Sequence, residues 1–197
     1  MSEPVQLRDA LINVFPKLTS KDFPEVLNTE SLTTWFNVWL EEFPESEKYV
    51  ASGHVKDWLW ELEDDIGQLD IANKYDLDLS TVVQRISDYL SGPGDEDQQE
   101  LETDHDDEDD LDGETEIDPD TYRAICLENV LDELLKKGIN VIAVELDQQI
   151  ILILSDANAE QLDVLTSLIS DVYPEGEVNF YQAELYPSHY DFENILE

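Results

Sequence analysis

The sequence predicts an α+β protein in three parts: an N-terminal all-helical bundle, an acidic disordered linker, and a C-terminal α-β-β-α-β domain with a small sheet. Three observations lead there. Residues 95–120, DEDQQELETDHDDEDDLDGETEIDPD, hold sixteen carboxylates, no Lys or Arg, and only three aliphatic side chains (Leu101, Leu111, Ile117). Such a run cannot bury enough apolar surface to offset the entropy of ordering it, so it reads as a self-repelling spacer. Before it, apolar residues recur at helical spacing; after it, two short continuous apolar runs stand between helical stripes. The expected parts are 1–94 (helical), 95–117 (linker), 118–182 (α+β) and 183–197 (an aromatic and acidic tail). Each folded part is near the lower size limit for holding its own core, so the two should touch.

In the first part, Leu7, Ala10, Leu11 and Val14 make a helical stripe that Pro16 stops. A stronger helix runs from about Glu30 to Glu42, with Leu32, Trp35, Phe36, Trp39 and Leu40 on one broad face. Val55, Trp58, Leu59, Leu62, Ile66 and Leu69 form another stripe. A last helix is expected to start with Ser80 as N-cap, bury Val82, Val83, Ile86 and Leu90, and end before Gly92. No alternating run suggests a strand here. Trp35, Trp39 and Trp58 are expected in the core. Trp60 lies about 200° around its helix from Trp58, beside Asp57, Glu61 and Asp64, where an indole ringed by carboxylates suits a basic partner.

In the last part, Asp118-Pro119-Asp120 is a helix start: cap, N1 proline and first-turn acid. Tyr122, Ile125, Cys126, Val130 and Leu134 make the stripe, and Lys136-Lys137-Gly138 ends it. INVIAVEL and QIILILS then read as two strands joined at Asp147-Gln148. Because Ile150 to Leu154 is apolar at every position, that strand should be central and covered on both faces. A helix from about Ala157 to Val172 and a strand over Glu177 to Gln182 follow. The tail carries Leu185, Tyr186, Tyr190, Phe192, Ile195 and Leu196 and is expected to fold back along the first half.

Charge is the outlier. The 49 acids and ten bases give −39. Residues 1–94 hold eighteen acids and seven bases, and residues 138–197 hold twelve acids and no base. A folded unit so composed cannot neutralise itself by internal ion pairs; it repels nucleic acid and anionic membrane and draws in cationic surfaces.

Enzyme chemistries fail on inventory. One cysteine and three scattered histidines (His54, His105, His189) offer no zinc-ligand spacing. The seven glycines form no phosphate-binding loop. Setting Gly113 at position six of a calcium loop puts Asp110 and Asp112 correctly, but Pro119 falls where a bidentate Glu is required. Cys126, between Ile125 and Leu127, reads as a buried small hydrophobe. No cofactor and no enzymatic activity are expected. The start shows no signal peptide, and no apolar stretch approaches the length of a membrane span, so a cytoplasmic protein is expected.

The function expected from these features is a non-enzymatic acidic protein that binds and neutralises a cationic protein partner. An immunity or antitoxin-type inhibitor of a nuclease-like toxin is the leading form. The alternatives are a DNA mimic occupying a nucleic-acid groove, and an acidic adaptor or chaperone for basic clients. The candidate contacts are Trp60, Asp64, Asp65, Glu175 and Glu177, with Asp106, Asp107, Asp109 and Asp110 of the acidic run, whose charge density can match that of a phosphate backbone.

Overall fold

A computed structural model of the chain describes residues 3–16, 18, 23–42, 49–54, 65–90, 119–146 and 149–188. The elements are α1 (Glu3–Val14), α2 (Thr29–Glu42), β1 (Val50–His54), α3 (Asp70–Tyr75), α4 (Ser80–Leu90), α5 (Pro119–Lys136), β2 (Asn140–Glu145), β3 (Gln149–Ser155), α6 (Ala159–Ser170) and β4 (Glu177–Tyr181), with a 3-10 turn at Ala183–Leu185. The mixed α+β class is therefore correct.

The strands form one antiparallel sheet in the order β1-β3-β2-β4. The continuous apolar run of β3 has the expected consequence: the strand is interior, and Ile150 through Leu154 are fully buried. Alternation splits the sheet's side chains between two cores. Val141, Ala143, Ile150, Leu152, Leu154 and Ala51 face the first, where α5, α4 and α3 supply Leu131, Leu134, Val82, Ile86 and Ile71. Ile142, Val144, Ile151, Ile153 and Val50 face the second, where α1, α2 and α6 supply Leu7, Leu11, Leu32, Phe36, Leu165 and Ile169. The result is a three-layer sandwich of helices, sheet and helices. Each buried Leu, Ile or Phe contributes roughly 1.5–3 kcal/mol by leaving water.

Two expectations need correction. The first half is not all-helical, because Val50–His54 forms an edge strand paired with β3 from Val50↔Ile153 to His54↔Gln149. Its helices also divide between both faces of the sheet. Ser80 is not the N-cap of α4: Val83 N bonds Leu79 O, placing Leu79 at the cap. The Asp78 carboxylate accepts from Ser80 N at 3.0 Å and from its hydroxyl at 2.6 Å, which holds Asp78 below the usual carboxylate range. The described start of the tail, residues 183–188, meets α5: Tyr186 OH donates to Asp132 Oδ1. Trp58, the linker 95–117 and the tail beyond Ser188 lie outside the described residues.

The α5 terminus follows the sequence signal. Gly138 takes φ 83° and closes a Schellman motif, with Gly138 N on Leu135 O and Ile139 N on Leu134 O, both 3.0 Å. Polar contacts tie the halves together. Thr29 Oγ1 donates to Val172 O at 3.1 Å, Gln149 Nε2 to Asn37 Oδ1 at 3.1 Å, and Lys137 Nζ to Asp76 O at 2.8 Å. Lys74 and Tyr75 of α3 both meet Asp156 just beyond β3.

Candidate partner-binding surface

The two helical layers differ in charge. Helices α1, α2 and α6 contain seven acids (Glu3, Asp9, Glu30, Glu41, Glu42, Glu160, Asp163) and one base, Arg8, for a net −6. Helices α3, α4 and α5 contain six acids and four bases, for a net −2. The lone Arg8 is already engaged by Asp9 at 3.0 Å. In the other layer Lys136 pairs with Asp132 at 2.5 Å and Lys74 pairs with Asp156. Among the described helices, the first-named set is thus the more one-signed.

The periodicity of α6 explains how it contributes. Leu162, Leu165 and Ile169 point into the core, which leaves Glu160, Asp163, Val164, Ser167 and Ser170 outward. Val164 is 53% exposed, an aliphatic side chain next to Asp163. The chain continues through exposed Asp171 into the Pro174-Glu175-Gly176 turn, where Glu175 and Glu177 are both exposed. The turn lies close against the end of β2. A Cβ on Gly176 would stand 3.0 Å from Leu146 Cδ2 and 3.1 Å from Glu145 O.

That approach exposes a feature the sequence reading missed. Glu177 stands directly opposite Glu145 in the β2–β4 register. Glu145 is half-buried, and its carboxyl is raised above the ordinary value, first by burial and further by the charge of Glu177; a 3.5 Å hydrogen bond from Asn179 Nδ2 and the charge of Arg123 offset part of this. Like charges placed directly opposite on a sheet are unfavourable. Because the folded protein favours the protonated form, Glu145 costs nothing below the ordinary value of 4.5. The cost develops as pH rises from 4.5 to the elevated folded value and is fully present above it. Glu145→Gln is therefore expected to stabilise the protein at pH 8 by roughly 0.5–1 kcal/mol, raising Tm by about 1–4 °C. Thermal melts at pH 8 and at about pH 3.5 check it: the gain should vanish at the acid end, and an equal gain at both would assign the effect to packing instead.

Of the anticipated contacts, Glu175 and Glu177 come together at this turn, with the unanticipated Glu145 paired opposite Glu177; Glu160 and Asp163 lie at the other end of α6. Asp65 is half-buried in the helical residues 65–67 ahead of α3, whose Ile66 enters the first core. Trp60, Asp64, Asp106, Asp107, Asp109 and Asp110 lie outside the described residues. The acids of α6 were legible in principle, since they occupy its polar stripe. Glu145 was not, because its crowding depends on a strand that arrives more than thirty residues later.

Cys126 is fully buried in α5, and burial pushes its thiol up to about 11, so it is held protonated at neutral pH and behaves as the expected small hydrophobe. Among the described residues, no three His, Cys, Asp or Glu side chains gather where they could hold a metal ion. No described helix is long and apolar enough to cross a membrane. No family model matches the chain, and no curated protein or solved structure matches it either.

Proposed function

We propose that this protein is a non-enzymatic, cytoplasmic binding protein that captures a cationic protein and neutralises it, in the manner of an immunity protein or antitoxin facing a nuclease-like toxin. The observation that carries this reading is the one-signed layer of α1, α2 and α6, in which Arg8 is the only described base. A surface of that kind accelerates encounter with a basic protein and rejects anionic competitors.

The DNA-mimic alternative calls for carboxylates at even, phosphate-like intervals. Along α6 and the residue after its end, the axial steps are uneven: about 4.5 Å from Glu160 to Asp163, then about 12 Å to Asp171. This favours a protein partner over a groove built for duplex DNA.

The test is capture from a lysate of the source organism at low salt, with elution first by duplex DNA and then by rising salt. One small basic protein that resists DNA, leaves with salt, and loses its nuclease activity when the acidic protein is added back is the expected result. Release of several DNA-handling enzymes by DNA would establish a mimic. No bound protein at low salt would end the proposal.

A further inference from the structure

The anionic layer also contains a groove of mixed apolar and polar lining whose chemistry matches one kind of occupant. A cavity of about 420 Å³ runs between α2 and the loop that precedes it. Ser31, Thr34, Trp35 and Val38, at helical spacing, form one wall, and Pro24 belongs to the other. Glu30 stands at its rim, and no Lys or Arg lines it among the described residues. Val26, on the same loop, is 71% exposed, the most exposed of the large hydrophobic residues described.

The loop is fixed before any partner arrives. Asn28 Oδ1 accepts from Ser31 N at 2.8 Å, and Ser31 Oγ accepts in return from Asn28 N at 3.0 Å. These reciprocal bonds cap α2. Ser31 Oγ also donates to Val26 O at 2.9 Å, which sets Val26 in place, and Phe23 packs edge-on against Trp35 with ring centroids 5.0 Å apart. A rigid wall needs little ordering on binding, so contact with its Pro24 and Val38 side chains is retained as affinity.

We infer that this groove seats an apolar side chain from a Lys- or Arg-rich segment of the partner protein, an assignment that rests on the cation-binding reading above. Charge selects the occupant. The chain's own tail offers apolar residues but carries Asp191, Glu193 and Glu197 with no base, and a second copy would bring the same acidic layer face to face. Both are repelled by Glu25 and Glu30 and by the net charge of the layer. A basic segment is attracted by the same field, and its apolar anchor fills the space between Pro24 and Val38. The exposed acids then govern arrival and the groove governs residence.

The experiment uses the full chain with three acetylated, amidated peptides: alternating Lys-Lys and Leu-Leu pairs, Lys-Lys and Ser-Ser pairs, and Glu-Glu and Leu-Leu pairs. Methyl NMR of Val26 and Val38 reports the groove, and calorimetry reports affinity. The Lys/Leu peptide is expected to shift both sets of methyls, and Val38→Gln to weaken its binding by about tenfold. The Lys/Ser peptide should bind without moving those methyls. Thr34→Lys, at an exposed position on the same wall, gives a second variant that should abolish the shift by repulsion even if Val38→Gln disturbs the fold. If the Lys/Leu peptide binds but neither methyl shift nor variant effect is seen, the groove is not the seat and the cation-binding reading survives. If neither Lys peptide binds at low salt, that reading fails as well. Equal shifts with the Glu/Leu peptide, or concentration-dependent shifts of the protein alone, would overturn the charge argument.

Discussion

Leu152→Ala is expected to cost about 2–5 kcal/mol and to move every spectroscopic transition together. Leu152 is fully buried at the middle of β3, opposite Ala51 of β1 and Ala143 of β2. With small residues on both flanks, the surrounding chain has little side-chain volume with which to close the cavity. A domain of this size has a total stability of only roughly 5–15 kcal/mol, so the loss is a large fraction of it. All four tryptophans fall within residues 35–60, whereas Leu152 lies in the second half. Trp35 belongs to the opposite core from the one Leu152 enters. Urea unfolding followed by tryptophan fluorescence should nevertheless shift as far as unfolding followed by far-UV circular dichroism, because the shared sheet couples the two cores. A fluorescence transition that stays in place while the dichroism transition moves would mean that the halves unfold separately.

That coupling is also where the sequence was least legible. β3 could be recognised because Gln149–Ser155 has no polar position between its ends, and a strand apolar on both sides requires cover on both sides. The stripes of α1, α2, α5 and α6 could be recognised because periodicity reports which face is buried. Periodicity does not report what the face is buried against. α1 and α4 have equally readable stripes, yet they cover opposite faces of the sheet. β1 carried still less signal: Val-Ala-Ser-Gly-His has no alternation and a glycine at its fourth position, so local propensity gives no reason to extend it. Its conformation is imposed by the unpaired edge of β3, where backbone hydrogen bonds pair the strand irrespective of its side chains, and Val50 and Ala51 drop into opposite cores. The cap of α4 failed for a related reason. In Asp78-Leu79-Ser80 the Asp78 carboxylate takes both the N–H and the hydroxyl of Ser80, so the Ser80 side chain is engaged backwards along the chain while the helix opens from Leu79. Charge, by contrast, was countable from composition, but its unequal division between the layers emerged only when the helices were assigned to their faces.

This division makes a prediction about association that net charge alone does not. Glu160→Gln, Asp163→Asn and Glu175→Gln together remove three negative charges from exposed positions on α6 and at the turn before β4. With the captured cationic protein at low salt, the triple variant should associate about tenfold more slowly, within the range that electrostatic steering spans. Dissociation should change far less, because exposed charges act mainly on encounter. The difference should disappear near 1 M salt, where the screening length is only about 3 Å. The control is Asp70→Asn, Asp76→Asn and Asp88→Asn, which removes the same charge from exposed positions in the other helical layer. Asn tolerates the left-handed backbone of Asp76, at φ 50°, so that change adds little strain. Stopped-flow association rates across a salt series decide the matter. If the control slows encounter as much as the triple variant, the partner responds to total charge alone and the α1, α2 and α6 layer has no directional role. If only the triple variant slows it, the sandwich itself orients the encounter, by placing its mixed-charge helices on one side of the sheet and its one-signed helices on the other.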